Sequence, residues 1–264
     1  MRVPREAHPL TPRGTQGSRG PAETILSGRR PVLELLRNHG AAEKIFFAEG
    51  LAPSKVLGEI RRRAKEVSVP VAVVPKREIE RLAGDVNHQG VVAKAGRYRY
   101  ASIDDLLHET SALLFVDGVT DPHNLGSLLR SADGAGFTGL VVPAHRAVGV
   151  TPAVRRVSAG AAEVVRVARV ANMSQALDEA RRAGLWILGL DEKSERDLWG
   201  SDLAQPPVGL VLGSEDRGIS RLVREHCDDL VRIPFFGKIG SLNVAVAGAV
   251  AMFEVARRRD SARL

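Results

Sequence analysis

The sequence predicts an α/β protein in which a parallel sheet with helices on both faces is preceded by a small α/β domain. Two observations carry this prediction. From residue 112 onward, short apolar runs of strand length recur with helical patterns between most of them, as in a parallel sheet buried on both faces. Before them, helices and strands alternate in a separate, shorter stretch. We therefore place a small domain at residues 23–96, a linker at 97–111 and a larger domain at 112–264.

The composition excludes several classes of protein. Of the 264 residues, 44% are hydrophobic, enough for one large or two modest domains. The longest apolar run, residues 242–256, is interrupted by Asn243 and Glu254, and the first twenty residues lack the apolar core of a secretory signal. A single cysteine, Cys227, cannot form an intramolecular disulfide or a multi-cysteine metal site. We expect a soluble cytoplasmic protein with neither a metal nor a membrane partner.

The positive charge is concentrated near the N-terminus. The net charge is +7, and residues 1–98 hold 18 Lys and Arg against 10 Asp and Glu, a net charge of +8. Such a local excess attracts a polyanion, because phosphate contacts supply most sequence-independent affinity for nucleic acids. A merely soluble basic surface is the alternative. Residues 1–22, with four prolines, four arginines and no apolar periodicity, predict a flexible basic tail.

The small domain is predicted from alternating helical and strand patterns. Its first helix places Val32, Leu33 and Leu36 on one face, and Ser54 is a suitable N-cap for its second. The predicted elements are, in order, helix Arg30–Asn38, strand Lys44–Ala48, helix Ser54–Val67, strand Val69–Val74, helix Arg77–Leu82 and strand Gly90–Ala95.

The larger domain is predicted from six apolar strands. These are Ala112–Val119, Gly139–Val142, Val164–Val170, Leu185–Leu190, Val208–Leu212 and Leu230–Ile233. Helices are predicted after the first strand and at Thr151–Ala161, Ser174–Ala183, Ile219–His226 and Ser241–Arg259. Small residues, Gly248 among them, crowd the first half of the last helix. They would allow another backbone to approach closely, either within the fold or across a dimer.

Three strand ends are rich in glycine and polar residues, and ligands of open α/β sheets bind at the carboxyl ends of strands. These segments are Asp117–Arg130, Leu212–Ile219 and Ile233–Asn243. Glycine lets a ligand approach the backbone, and helix N-termini offer unpaired amides. Neither G-x-G-x-x-G nor G-x-x-x-x-G-K-[ST] occurs in them, which disfavours a nucleotide-dependent oxidoreductase or a P-loop protein.

Together the three segments resemble the three motifs of the SpoU/TrmH family of RNA ribose 2′-O-methyltransferases, in the SPOUT superfamily. The matching runs are Asp117-Gly-Val, Asn124-Leu-Gly and Arg130-Ser-Ala, then Leu212-Gly-Ser-Glu and Gly218-Ile, then Ile233-Pro and Ser241-Leu-Asn-Val-Ala. The segments that begin at Ser27 and His88 look like the family's L30e-like RNA-binding domain. That pairing is typical of the branch that methylates a guanosine of large-subunit ribosomal RNA.

The resemblance implies further properties of the fold and its ligands. It implies a C-terminal trefoil knot, an exception to the rule that chains do not knot. S-adenosylmethionine would be the methyl donor, and the family's donor-contacting positions correspond to Gly213, Ile233 and Leu242. The implied partners are RNA, in particular 23S ribosomal RNA, and a second copy of the chain as a homodimer, with no DNA.

The resemblance also implies five catalytic residues: Arg130, Asn124, Glu215, Ser241 and Asn243. Arg130 has the central role, but a guanidinium is effectively always protonated. It could instead fix a phosphate and stabilise the developing alkoxide, so its protonation role stays open. Asn124 would orient the substrate or Arg130, and Glu215 would hold Arg130 or link the motif segments. Ser241 and Asn243 would cap the last helix and shape the pocket.

Each of these positions also has a purely structural interpretation. Asn124 and Ser241 precede helices, where N-caps occur in any protein. His123 could be a general base or a turn residue, and Arg155 and Arg156 could bind phosphate or face solvent. At the level of the whole protein, the alternatives are a tRNA ribose 2′-O-methyltransferase and a non-catalytic knotted protein that binds RNA.

Overall fold

The computed structural model describes residues 24–38, 42–108, 111–237 and 241–261, and it contains two β-sheets. The predicted tail at residues 1–22 lies outside these ranges. None of the helices within them is long and apolar enough to cross a membrane.

The first sheet has four strands in the order β1-β4-β2-β3. Strand β4 pairs antiparallel with β1 and β2, whereas β2 and β3 are parallel. Its elements are β1 Thr24–Ser27, α1 Arg29–Arg37, β2 Ala42–Ala48, α2 Lys55–Glu66, β3 Val71–Val74, α3 Lys76–Ala83 and β4 Val91–Ala95. Ser54 caps α2 as predicted, since its side chain accepts a hydrogen bond from the Leu57 N–H. The prediction missed β1, a four-residue strand too short to show a period.

The predicted linker is in contact with the second sheet. It contains a short helix, α4 (Ile103–Leu107), which Ser102 and Asp105 close with a capping box. Tyr98 and Tyr100 pack against the core of the second sheet, and Ala101 forms a bridge to one of its strands. Residues 98–107 are therefore part of the packed structure.

The second sheet has six parallel strands in the order β10-β8-β9-β5-β6-β7. The strands are β5 Ala112–Val116, β6 Gly139–Pro143, β7 Arg166–Val170, β8 Trp186–Leu190, β9 Val208–Leu212 and β10 Asp229–Val231. The helices are α5 Pro122–Ala135, α6 Pro152–Val157, α7 Met173–Arg182, α8 Arg221–Glu225 and α9 Val244–Ser261. Because every strand runs the same way, all carboxyl ends meet at one edge.

Side chains alternate between two apolar cores on opposite faces of this sheet. Along β5, Leu114 and Val116 join the core with α5, α6 and α9, whereas Leu113 and Phe115 join the core with α4 and α7. This alternation is what the two-residue period of a strand produces. The prediction of a parallel sheet with helices on both faces is confirmed.

Two predicted helices differ from the structure by three or more residues at one end. The helix expected at Thr151–Ala161 ends at Val157, because Ala159 (φ 52°) and Gly160 (φ 103°) leave helical geometry. A 3-10 turn at Ala161–Glu163 follows. The last helix begins at Val244 rather than at Ser241.

Candidate active site

A cavity of about 480 Å³ lies at the carboxyl ends of β8, β9 and β10. The segments after β9 and after β10 form much of its wall, together with the start of α9. Gly213, Ile233 and Leu242, the three positions that the family resemblance assigns to the methyl donor, all line it. Small-molecule sites commonly occupy about 300–1,000 Å³, so the cavity has the size of a ligand site.

Gly213 is required by the way the loop after β9 folds back on itself. Ser214 and Gly218 exchange two backbone hydrogen bonds, of 3.0 and 2.9 Å. A Cβ atom at position 213 would lie 1.9 Å from the Gly218 carbonyl carbon and 2.1 Å from the Ile219 nitrogen. No side chain fits there. Glycine in this segment was expected to let a ligand approach the backbone. At Gly213, the group that approaches is instead the chain's own backbone at Gly218 and Ile219.

Asn124, Glu215 and Asn243 form a hydrogen-bonded group that joins the three motif segments. The Asn124 amide donates to Glu215 Oε1, and Asn243 Nδ2 donates to Asn124 Oδ1 at 3.0 Å and to Glu215 Oε1 at 3.2 Å. Asn243 Oδ1 in turn accepts from the N–H groups of Ala245 and Val246, and so caps α9. Glu215 was predicted either to hold Arg130 or to link the motif segments, and the structure shows the link between motif segments.

The interpretation of Asn124 as an N-cap is wrong. It is the third residue of α5, and the cap is Asp121, whose carboxylate accepts from the His123 N–H at 2.9 Å. Pro122 occupies the first helical position. Ser241 lines the cavity, while Asn243 provides the cap that was predicted for both residues.

Two family models match most of the described structure. The model of the SpoU rRNA Methylase family matches residues 111–253, more than half of the chain. The chain belongs to the SpoU rRNA methylase family. A second model, for RNA 2′-O ribose methyltransferase substrate binding, matches residues 25–101. The protein is thus an enzyme, an RNA 2′-O-ribose methyltransferase, and the prediction of that activity is confirmed.

Known relatives of this SpoU methylase resemble it over nearly their whole length. YacO of Bacillus subtilis, named as a TrmH family tRNA/rRNA methyltransferase, is 38% identical over 88% of this chain and 95% of its own. The 23S rRNA (guanosine-2′-O-)-methyltransferase RlmB of Pseudomonas syringae is 40% identical over 89% of this chain and 96% of its own. The crystal structure of AviRb from Streptomyces viridochromogenes, in complex with its cofactor AdoMet, superposes with a TM-score of 0.73 at 28% identity, covering 90% of this chain and 91% of that one.

Arg130 is not part of the hydrogen-bonded group in this SpoU methylase. It lies on α5, six positions beyond Asn124, which corresponds to about 9 Å along a helix. Its side chain is exposed and does not line the cavity. The described ranges contain no hydrogen-bond or ion-pair partner for it. The structure thus brings together seven of the eight predicted site residues and leaves Arg130 apart.

Arg155 has a structural role, so the interpretation as a phosphate ligand is wrong for it. Its side chain is 3% exposed, its Nε lies 2.7 Å from Glu163 Oε1, and its Nη1 donates to the Gly96 carbonyl at 3.1 Å. A buried guanidinium that is already paired with a carboxylate is not available to RNA. Arg156, the next residue, is exposed.

Several cavity residues were missed by the sequence analysis. Asp191 follows β8 directly, is nearly buried, and forms an ion pair with Arg224. Arg232 pairs with Asp197, Nε to Oδ1 at 2.8 Å. The same rule that identified the other strand ends, applied to the end of β8, would have found Asp191.

Cys227 is a half-buried thiol. Burial raises the pKa of its thiol to about 12, and the neighbouring charge of Asp228 acts in the same direction. The reactive form of cysteine is the thiolate, which is scarce at neutral pH when the pKa is that high.

Proposed function

We propose that this enzyme methylates the ribose 2′-hydroxyl of a guanosine in 23S ribosomal RNA and that S-adenosylmethionine is its methyl donor. The observation that carries the proposal is the hydrogen-bonded group of Asn124, Glu215 and Asn243, which draws three distant segments to the edge of one cavity. The substrate is suggested by the 23S rRNA methyltransferases among its relatives and by the basic N-terminal third.

The cavity fits the proposed donor. Its volume suits a nucleoside with an amino-acid tail, and Gly213, Ile233 and Leu242 offer backbone amides and carbonyls beside apolar surface. When bound, the sulfonium supplies an electrophilic methyl group. Every residue assigned to the donor by the resemblance lies in the wall of this cavity.

The chain's own residues must position the ribose hydroxyl and stabilise it as it loses its proton. Asn124 is held in place by Glu215 and Asn243, so it can orient a substrate group without a large entropic cost. The permanently charged guanidinium of Arg130 can stabilise a developing alkoxide or hold the adjacent phosphate. In an α-helix, side chains lean towards the N-terminus, which directs Arg130 towards the end of α5 that carries Asn124.

A homodimer would explain an exposed apolar surface on α9. Val246 and Phe253 are 49% and 51% exposed and lie seven residues apart, on one face of the helix. Helix α5, which carries Arg130, packs beside α9. A two-fold dimer through this face would bury both apolar side chains and place Arg130 at the interface.

A C-terminal knot is supported by the contacts of α9. The side chain of Arg258 donates to the carbonyls of Leu198, Trp199 and Ser201, in the loop between β8 and β9. The last helix is thereby bound to a loop from earlier in the chain.

The proposal extends to the domains and the location of the protein. We propose an L30e-like substrate-binding domain at residues 23–96 and a catalytic domain at residues 112–264. We also propose a cytoplasmic location, where ribosomal RNA is found.

Transfer of a tritiated methyl group from S-adenosylmethionine tests this function. Protein-free 23S rRNA, 16S rRNA and total tRNA would be offered separately, and the modified position mapped by resistance of the 2′-O-methylated linkage to alkali. We expect incorporation into 23S rRNA at one guanosine. Incorporation into tRNA alone would establish the tRNA alternative, and donor binding without transfer to any RNA would contradict the proposal.

A further inference from the structure

Phe236 is a large apolar side chain that the fold does not use. It is 97% exposed, the highest value among the large hydrophobic residues that the structure describes, and it lines the cavity. Exposed apolar surface costs free energy in water. Neither of the cores around the second sheet includes it. We therefore expect the Phe236 ring to contact a molecule outside the chain.

Arg217 is a cation without a partner at the same cavity. Of the four cationic side chains in the wall, Arg224 pairs with Asp191 and Arg232 pairs with Asp197, which leaves Lys193 and Arg217 without an ion pair among the described residues. The guanidinium of Arg217 has no hydrogen bond or ion pair to any residue within the described ranges. Its backbone is nevertheless held, because the Arg217 N–H donates to Ser214 Oγ at 3.3 Å.

An aromatic face and an available guanidinium beside one cavity suit a nucleotide taken out of its stack. Single-stranded RNA is recognised chiefly through bases that stack on aromatic side chains, and its phosphates through arginine. We propose that Phe236 stacks on the base of the target nucleotide and that Arg217 binds its phosphate, so that both hold the nucleotide at the mouth of the cavity. This inference rests on the proposed function and names the residues that position its substrate.

A second copy of the chain is the competing occupant of this surface. RNA is favoured because Arg217 has no acidic partner here, and an interface that buried it unpaired would incur a desolvation cost. A polyanion instead supplies the missing negative charge.

The test compares two variants with two controls at the opposite edge of the sheet. The variants are Phe236→Ala and Arg217→Ala. The controls are Trp186→Ala and Arg182→Ala, since Trp186 is 52% exposed at the amino end of β8 and Arg182 is exposed at the end of α7. For each protein, filter binding gives the Kd for protein-free 23S rRNA as a function of salt, and calorimetry gives the Kd for S-adenosylmethionine.

Phe236→Ala should raise the RNA Kd about tenfold, which corresponds to about 1.4 kcal/mol, with the same salt dependence as the unmodified enzyme. Phe236→Trp should restore affinity, because the larger ring also stacks. Arg217→Ala should weaken binding and reduce the slope of log Kd against log salt by about 1. Both controls should keep the RNA Kd and the donor Kd within about twofold of the unmodified enzyme.

Equal RNA affinity in Phe236→Ala and Trp186→Ala would overturn the inference. So would light scattering in which Phe236→Ala dissociates a dimer, since the ring would then contact a second copy. RNA affinity is measured without turnover, so these outcomes are independent of the proposed reaction. That reaction is tested by methyl transfer from the unmodified enzyme.

Discussion

A single carboxylate oxygen connects the three motif segments: Glu215 Oε1 accepts hydrogen bonds from both Asn124 and Asn243. No Lys or Arg in the described ranges forms an ion pair with Glu215. Its structural contribution is therefore that of an acceptor rather than of a counter-charge. Removing an acceptor leaves amide donors unpaired in a partly buried site, which commonly costs about 1–3 kcal/mol.

Because Glu215 acts as a hydrogen-bond acceptor, we expect Glu215→Gln and Glu215→Ala to differ in turnover and in stability. The glutamine carbonyl can replace Oε1, so we expect turnover within about threefold of the unmodified enzyme, because both hydrogen bonds persist. Glu215→Ala should reduce turnover more than about 30-fold, a barrier increase of about 2 kcal/mol, and lower the melting temperature. Single-turnover methyl transfer and calorimetry measure the two effects. Equal losses in the two variants would show that the negative charge itself is required.

Arg130→Ala should reduce methyl transfer by well over tenfold while the melting temperature and donor affinity stay unchanged. The reason is that Arg130 is exposed and bonded to no described residue, yet occupies the position that the family motif assigns to catalysis. A decrease below about tenfold, roughly 1.4 kcal/mol of barrier, would be too small for electrostatic stabilisation of an alkoxide. Lost stability in this variant would instead indicate a packing role.

Helix α9 shows how far amino-acid composition predicts the packing of a helix. Its small residues were expected to allow close packing within the fold or across a dimer. At Gly248 the packing is within the fold, since a Cβ there would lie 2.5 Å from Leu128 Cδ2 and 2.6 Å from Leu212 Cδ1. At the other end, Glu254 bonds Arg257 and Arg258, and Arg258 holds the loop between β8 and β9.

The Glu254 cluster predicts a loss of stability in acid. Hydrogen bonds from Arg257, the larger cause, and from Arg258 lower the pKa of Glu254 to about 2, below the ordinary value of about 4.3. Because the folded pKa is the lower one, the contribution is complete above the ordinary pKa and is lost as the pH falls towards 2. Urea unfolding should show Glu254→Gln to be about 1–2 kcal/mol less stable at pH 7, with the difference shrinking from pH 4.5 to pH 2.5. A difference independent of pH would contradict this.

Most helices and strands could be predicted because each has its own local period or cap. Two short elements were missed, yet one had a readable signal: Ser102 followed three residues later by Asp105 is a capping-box pattern. The cap of α5 was also readable, since Asp121 precedes a proline at the first helical position. The early end of α6 was not, because positive φ at Ala159 depends on the surrounding structure.

At the scale of the whole molecule, long-range proximity is what the sequence alone leaves out. Glu215 bonds a residue 91 positions away, and Asn243 bonds one 119 positions away. Neither the strand order nor these contacts follows from a local period. The family resemblance identified the residues because it compares whole motifs. The motifs include neither Arg155 nor Glu163, so the buried ion pair between these two residues was not predicted.

The proposed dimer predicts that Ala249→Arg dissociates the protein. Ala249 lies on α9 between the exposed Val246 and Phe253, where an added guanidinium would prevent close apolar contact. Light scattering should show a dimer for the unmodified enzyme and a monomer near 28.4 kDa for the variant. Ala183→Arg, at an exposed position on the opposite edge of the sheet, is the control. A fully active monomer of the unmodified enzyme would exclude the dimer.

Segments that follow β10 complete the wall of the cavity, and this sets an order of events during protein synthesis. Ile233 and Leu242 line the wall, as does Ala247 in the first turn of α9. While these residues are still inside the ribosome, the earlier strands can form but the donor site cannot. Stalled nascent chains that expose only residues 1–232 should bind no S-adenosylmethionine, whereas released chains should bind it. The proposed donor site therefore forms only after the segment beyond β10 has emerged from the ribosome.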